Sequence, residues 1–559
     1  MAAPAAGGTT SRSFTFYGSG YGHGLGLSQW GAHGMAQEGK TYRQILTHFY
    51  RGTSVRTAPS SPSRLRIGLA QDRRLVHLTA SGGRAELRLQ GTAAHVAWIP
   101  SGETWTVAPT SGQFRVRDGA GTVVGGRLWG STTRGLVAVY SGGARVHVAE
   151  TGHTYQRGTI QFDVYRSCGR CVYRERLIAV LAPQSYLYGI GEVPSSWPMQ
   201  SLETQAVAAR TYAFEKVARI GQHRPGCNCG LYASTLDQNY VGWDKESGYL
   251  GDRWVRAVDR TDGLVVMYEG SLIQAYYHAS SGGFTENNEN VWGGPAIPYL
   301  RGVCDPGDFT SDNPVRTWTL AFTDAALTSK LAPYTGSIGT VSGFSGIVRG
   351  VSGRIESIDV LGTAGRATAI SGGQLRAALG MRDTRVWINS NRNVTGAIRG
   401  RYDGLGCAPG AAAGPQVAVP GGRRQVFAKG AMYQNGASGA VIWLRGAVYD
   451  RYASLGDADG RLGIPVYGTQ TRTAPKGCRT YRCTVTRFAS GAIYFKSAPN
   501  VGLHELHGAL FQYYRKLWGT YGPLGFPTSD VRRAAGGWTW ATFEHGKISC
   551  SPKGTCSRR

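Results

Sequence analysis

Residues 20–32, Gly-Tyr-Gly-His-Gly-Leu-Gly-Leu-Ser-Gln-Trp-Gly-Ala, set His23, Ser28 and Gln29 among glycines. Glycine costs backbone entropy unless a positive φ or the close approach of another group requires it. A chain that alternates glycine with an imidazole, a hydroxyl and an amide therefore reads as one wall of a site. The second chemical candidate is Glu192, in Gly-Glu-Val-Pro-Ser-Ser-Trp-Pro, on a loop just before a helical pattern. Tyr186, Tyr188 and Trp197 nearby would give an apolar lining that raises a carboxyl pKa toward that of a general acid. The neighbouring helix start favours the anion and pulls the other way.

Several chemistries are excluded by spacing. The glycines at 20, 22, 24 and 26 miss the register of a dinucleotide loop. Gly-Leu-Ser-Gln-Trp lacks the closing glycine of a hydrolase nucleophile elbow, and His23, His33 and His48 lack the spacing of a metallohydrolase helix. His223, Cys227 and Cys229 are zinc-ligand types, yet their spacing matches no standard structural site. They are weak metal candidates, and a disulfide between the two cysteines is the favoured reading.

These residues need a scaffold, and the composition indicates its kind. Glycine contributes 82 of 559 residues, about twice the usual share, and short strand-like runs separated by Gly, Ser and Thr recur through the first half. The chain is predicted to be α+β and β-rich. The net charge of +27 favours polyanions. Its basic residues are scattered and carry no nucleic-acid motif, so nucleic acid is not expected as a partner. No apolar run is long enough to span a bilayer.

Ten cysteines pair off by proximity as 168 with 171, 227 with 229, 478 with 483 and 550 with 556, leaving Cys304 and Cys407. That pattern suits an oxidising compartment. Met1–Gly8 shows no charged region followed by an apolar core and reads as a mature end with a start methionine.

Along the chain, residues 1–12 read as a disordered tail, and Phe14–Tyr17 as a short strand. A helix is expected over Met35–Phe49. Residues 60–155 read as a β-rich subdomain, and strands are expected around 160–164 and 176–180. A helix then follows an N-cap at Ser196. Residues 406–424, rich in Pro, Gly and Ala, read as a linker closing a domain that spans 13–405. A tandem module follows over 425–550, and 551–559 form a tail. Phe427-Ala-Lys-Gly-Ala-Met-Tyr recurs as Phe488-Ala-Ser-Gly-Ala-Ile-Tyr and Phe543-Glu-His-Gly-Lys-Ile-Ser, and Leu462-Gly-Ile-Pro as Leu524-Gly-Phe-Pro.

Gly-Glu-Val-Pro-Ser-Ser-Trp-Pro, Leu202-Glu-Thr-Gln-Ala-Val-Ala-Ala-Arg-Thr-Tyr-Ala, Thr235-Leu-Asp-Gln-Asn-Tyr and Tyr277-His-Ala-Ser-Ser-Gly-Gly-Phe-Thr-Glu together resemble the stage II sporulation protein D / LytB amidase-enhancer family. Gln374–Thr384 resembles that domain's closing segment, and the carboxy-terminal repeats resemble the LGFP repeats of wall-associated actinobacterial proteins. The resemblance implies a SpoIID-like catalytic domain with a β-rich insertion. It also implies a secreted, wall-associated peptidoglycan lytic transglycosylase that cuts MurNAc-GlcNAc bonds of peptide-stripped strands. Glu192 takes the position of the family's essential acid. His23, Ser28, Gln29, Gln205, Arg210, Tyr277, Ser280, Ser281 and Thr285 are the expected substrate-binding residues. No cofactor is required, although some members hold zinc through a His and two Cys at wider spacing.

The partners implied are peptidoglycan strands, anionic envelope polymers for the repeats, and an N-acetylmuramoyl-L-alanine amidase. The alternative is a non-catalytic, wall-binding amidase enhancer. The His-Gly motif usually comes late in this family and here comes first, as in a permuted domain, which demands that residues 20–32 pack against Glu192.

Overall fold

The computed structural model describes residues 11–167, 172–473, 475 and 478–559. The fold is mixed α+β and β-rich, and it divides into two compact units. Gly20–Arg316 form one, and Thr317–Arg559 join the residues up to Ser19 in the other.

The first unit is built around the helix Met199–Ile220. Of its 22 residues, 15 are buried, as expected of an alanine-rich helix covered on all sides. The helices Gln29–Gln37, Tyr42–Phe49 and Gly251–Arg260 and the strand Leu264–Tyr268 pack around it. Pro198 occupies the N-cap position, so Ser196 does not cap this helix as expected, and Gly221 closes it at φ 77°. The helix expected over Met35–Phe49 is two helices. Gly39, at φ 83°, separates them, and Thr41 and Gln44 close a capping box on the second.

The β-rich region forms two sheets. Among the described residues, one runs in the order Leu231–Tyr232, Leu65–Arg73, Val172–Leu181, Thr159–Ser167, Leu136–Val139, Ala85–Leu89, His95–Ile99. The other runs His153–Tyr155, Arg145–Val148, Val76–Ser81, Thr104–Thr110, Gln113–Arg117. Their alternating buried residues, Val76, Leu78 and Ala80 on one strand and Ile160, Phe162 and Val164 on another, feed the same core as the central helix.

In the second unit, the strand Ser13–Gly18 lies between Trp318–Thr323 and Val386–Ile388. Its Phe14 and Phe16 are buried edge-on to Phe344, at 5.6 and 5.8 Å between ring centres. The strand Ser13–Gly18 thus belongs to the core formed with residues 317–388, and the domain expected over 13–405 is divided accordingly. Of the expected tail 1–12, residues 1–10 lie outside the described residues, while Ser11 and the Arg12 amide both donate to Asp324.

The repeats follow one construction. Tyr402, Tyr452 and Tyr514, on the helices Gly396–Gly404, Gly446–Ser454 and Gly508–Lys516, donate to the carbonyls of Gly410, Gly463 and Gly525 at 3.0, 2.7 and 2.5 Å. The same tyrosines stack on Phe427, Phe488 and Phe543 at 5.3, 4.4 and 4.7 Å. The repeat region therefore starts earlier than residue 425, at the helix Gly396–Gly404. Residues 406–424 are no free linker either. Val417–Val419 pairs with Gly422–Phe427, and the amides of Ala413, Ala428 and Lys429 bond to Val426, Ala411 and Pro409.

Disulfides join Cys227 to Cys229, Cys478 to Cys483 and Cys550 to Cys556, and Cys304 and Cys407 are each disulfide-bonded. The Cys168 and Cys171 pairing lies outside the described residues. No helix among the described residues is long and apolar enough to cross a membrane.

Candidate functional site

The glycine stretch is held where side chains have no room. A Cβ on Gly22 would stand 2.6 Å from that of His278, and one on Gly26 would stand 2.3 Å from the Tyr276 carbonyl, with φ at 132° and 65°. This close approach lets Leu27–Ser28 run parallel to Tyr277–His278. Gln29 then opens the helix Gln29–Gln37 for which Ser28 is the N-cap.

Glu192 lies between the helices Pro183–Tyr188 and Met199–Ile220. Gly191 and Asn239 clamp its loop, the Gly191 amide donating to the Asn239 carbonyl at 2.8 Å and Asn239 Nδ2 donating to the Gly191 carbonyl at 3.0 Å. Glu192 Oε1 accepts from the Asn239 amide at 2.6 Å and from Tyr277 Oη at 3.1 Å, and the Gln29 side chain also bonds to this carboxylate. Burial raises the Glu192 pKa above the usual carboxyl value. The hydrogen bonds from Asn239, Tyr277 and Gln29 and the charge of Lys245 oppose the rise without cancelling it. Lys245 donates to the Val193 carbonyl at 2.5 Å, and its own pKa falls to about 8, chiefly by burial.

A chain of polar groups extends on both sides of the carboxylate. Tyr277 Oη accepts from Gln238 Nε2 at 3.0 Å, and Gln238 Oε1 accepts from Tyr186 Oη at 2.9 Å. On the other side Gln29 Nε2 donates to Gln205 Oε1 at 3.3 Å, while Gln205 Nε2 is buried without a partner. Beside Gln29, the half-exposed Trp30 packs against Trp197 at 4.7 Å and His33 at 5.2 Å. The arrangement can present a carboxyl of raised pKa and amide donors to a hydroxyl-rich ligand.

Gln29, Gln205 and Tyr277 are thus gathered at Glu192. His23 lies in a ring cluster with Tyr276, His278 and Trp292, its Nδ1 accepting from the Leu25 amide at 3.0 Å. The other expected substrate-binding residues are engaged in the interior. Ser28 Oγ and Ser280 Oγ donate to the fully buried Asp308 at 3.2 and 2.8 Å, and Ser281 Oγ donates to the fully buried Asp305 at 2.6 Å. Thr285 Oγ1 accepts from the Val303 amide. Arg210 is likewise engaged in the interior. It is buried and donates to the carbonyls of Thr261, Leu264 and Val258, tying the central helix to the turn after Gly251–Arg260.

The weak zinc set does not fit a metal. Cys227 and Cys229 are joined to each other, His223 bonds to Asn228 at 2.6 Å, and no group of three metal-ligating side chains occurs among the described residues.

Sequence reasoning missed Asn239, Gln238 and Lys245 as members of the site. The first two stand in the Thr235–Tyr240 motif, and that motif was the available signal. Lys245 carried none.

Residues 174–268 match the family model described as stage II sporulation protein, and residues 410–460 match the LGFP repeat. An uncharacterised protein of Brachyspira hyodysenteriae is 33% identical over 228 residues, covering 40% of this chain and 58% of that protein. The amidase enhancer of Bacillus subtilis is 35% identical over 139 residues, 25% of this chain and 17% of the enhancer. The stage II sporulation protein D of Bacillus amyloliquefaciens is 25% identical over 263 residues, 45% of this chain and 72% of that protein. The chain therefore spans less than two thirds of the first two relatives.

Proposed function

Because the chain belongs to the stage II sporulation protein D / amidase-enhancer family and carries a C-terminal LGFP repeat region, we propose that it is a secreted, wall-associated protein of cell-wall remodelling. It grips peptidoglycan strands at the Glu192 site and anionic envelope polymers through its repeats, and so stimulates an N-acetylmuramoyl-L-alanine amidase. The observation carrying this reading is the 35% identity to the amidase enhancer over 139 residues. The disulfides and the net charge of +27 support work in an oxidising, polyanionic setting.

A second reading, strand cleavage, is favoured by one feature of the site: burial raises the Glu192 pKa while Tyr277 and Gln29 fix its carboxyl. Glycosidases usually need two carboxylates. A lytic transglycosylase needs one, because the MurNAc C6 hydroxyl attacks C1 of its own sugar. Glu192 gives its proton to the leaving glycosidic oxygen and takes the proton of the C6 hydroxyl, leaving a 1,6-anhydro end and a regenerated acid. Gln29 and Gln205 would hold the sugar.

One experiment separates the readings. Denuded glycan is digested with the wild type and with Glu192→Gln and the products weighed by mass spectrometry, and amidase turnover on intact sacculi is followed with either protein added. Under the enhancer reading both proteins speed the amidase and neither yields anhydro ends; an unchanged amidase rate sinks that reading. Under the cleavage reading the wild type yields anhydro ends and the variant loses about 100-fold or more; absence of anhydro product ends it.

A further inference from the structure

The turn after each repeat helix carries two successive residues at positive φ, and in the third repeat the first of them is a tryptophan. In the second repeat the pair is Gly456 and Asp457, at φ 92° and 58°; in the third it is Trp518 and Gly519, at 70° and 57°. Aspartate tolerates this region by bonding locally, and Asp457 accepts from the Ala458 amide at 2.6 Å and pairs with Arg424. Trp518 has no such compensation. Its side chain is 80% exposed and makes no hydrogen bond or ring contact among the described residues. A bulky residue held in a strained conformation without packing gain points to a use outside the fold.

The surroundings indicate what that use is. Tyr521, in the same turn, is 56% exposed under the guanidinium of Arg472, and Tyr467 is 51% exposed under that of Arg487. Arg472 and Arg487 lie on paired strands, Pro465–Arg472 and Cys483–Phe488, with Tyr467 opposite Arg487, and Arg515 lies on the helix Gly508–Lys516 that leads into the turn. None of the three has a carboxylate partner among the described residues, whereas Arg424, Arg451 and Arg461 are paired with Asp457, Asp530 and Glu505. Exposed rings offer flat faces to the C–H side of a pyranose, and guanidinium groups without a carboxylate partner remain able to take a carboxylate or phosphate.

We propose that this face of the second and third repeats binds sugar residues of an acidic polysaccharide, with Trp518 as the stacking platform. The proposal rests on the reading that the repeats hold the protein on the wall, and it names the ligand class and the residues.

Full-length wild type, Trp518→Gly and Trp518→Phe are compared for pelleting with sacculi that keep their attached acidic polysaccharide and with sacculi stripped of it by hydrofluoric acid. Trp518→Gly installs the glycine of the second repeat's turn. We expect its unfolding temperature to stay level or rise while its affinity for intact sacculi falls tenfold or more, with Trp518→Phe in between and all three alike on stripped sacculi. Unchanged pelleting of Trp518→Gly overturns the proposal and leaves wall anchoring standing. A lowered unfolding temperature would mark the ring as a packing residue and also overturn it. Loss of binding to phosphatidylglycerol vesicles in place of sacculi would assign the face to a membrane. If the wild type does not pellet at all, the anchoring reading falls and the proposal with it.

Discussion

Glu192 shows how far one residue's chemistry depends on its neighbours. In water its carboxyl would ionise near pH 4.3; partly buried in the loop between two helices, it has a raised pKa, and three hydrogen bonds hold that rise in check. Removing one restraint must raise it further. Tyr277→Phe deletes the donor at 3.1 Å, so we expect the Glu192 titration, followed by 13C NMR of labelled carboxyls, to move to higher pH. Any alkaline limb of strand cleavage should move in the same direction, and a downward shift would contradict the assignment of Tyr277 as donor. The sign for stability follows from the same shift. A carboxyl whose folded pKa lies above its unfolded value contributes fully below about pH 4.3 and loses that contribution as pH rises through the folded pKa.

At the scale of elements, the seam between Leu27–Ser28 and Tyr277–His278 joins the glycine stretch to the rest of the site. Ser28 is both the N-cap of Gln29–Gln37 and a partner of buried Asp308. Ser28→Ala therefore removes a cap and leaves a buried carboxylate one donor short, at a cost of about 2 kcal/mol. We expect a lower midpoint in chemical denaturation, with the titration of Glu192 little changed in the folded protein. A direct sugar contact by Ser28 would show the reverse, an unchanged midpoint and weaker glycan binding. Arg210 makes the same point about motifs. Its place on the central helix is plain from the sequence, yet the side chain turns to the carbonyls at 258, 261 and 264, because a buried guanidinium must satisfy its donors.

Across the whole molecule, 61 basic residues against 34 acidic ones leave +27 charges. A protein of that charge is drawn to an acidic wall over distances set by salt, since the Debye length falls from about 10 Å at 0.1 M to about 3 Å at 1 M. We expect pelleting with intact sacculi to fall steeply between these concentrations. Binding that ignores salt would mean that neutral sugar contacts dominate.

The amino-acid sequence by itself determined what is local. The repeats were legible because each unit restates the same tyrosine, glycine and phenylalanine, which close the same stack and hydrogen bond each time. Gln29 stood out by its glycine-rich setting, whereas Glu192 and Tyr277 stood out chiefly through motifs that resemble those of the family. Tertiary structure alone decided which of them meet. Ser28 and Gln29 are adjacent in the chain, yet one faces buried Asp308 and the other bonds to Glu192. Likewise the strand holding Phe14 and Phe16 leads straight into the glycine stretch and still joins a different core. Spacing along the chain does not encode which way a side chain turns at a helix start, or which sheet has a place for a strand. Those choices fall to packing between segments hundreds of residues apart.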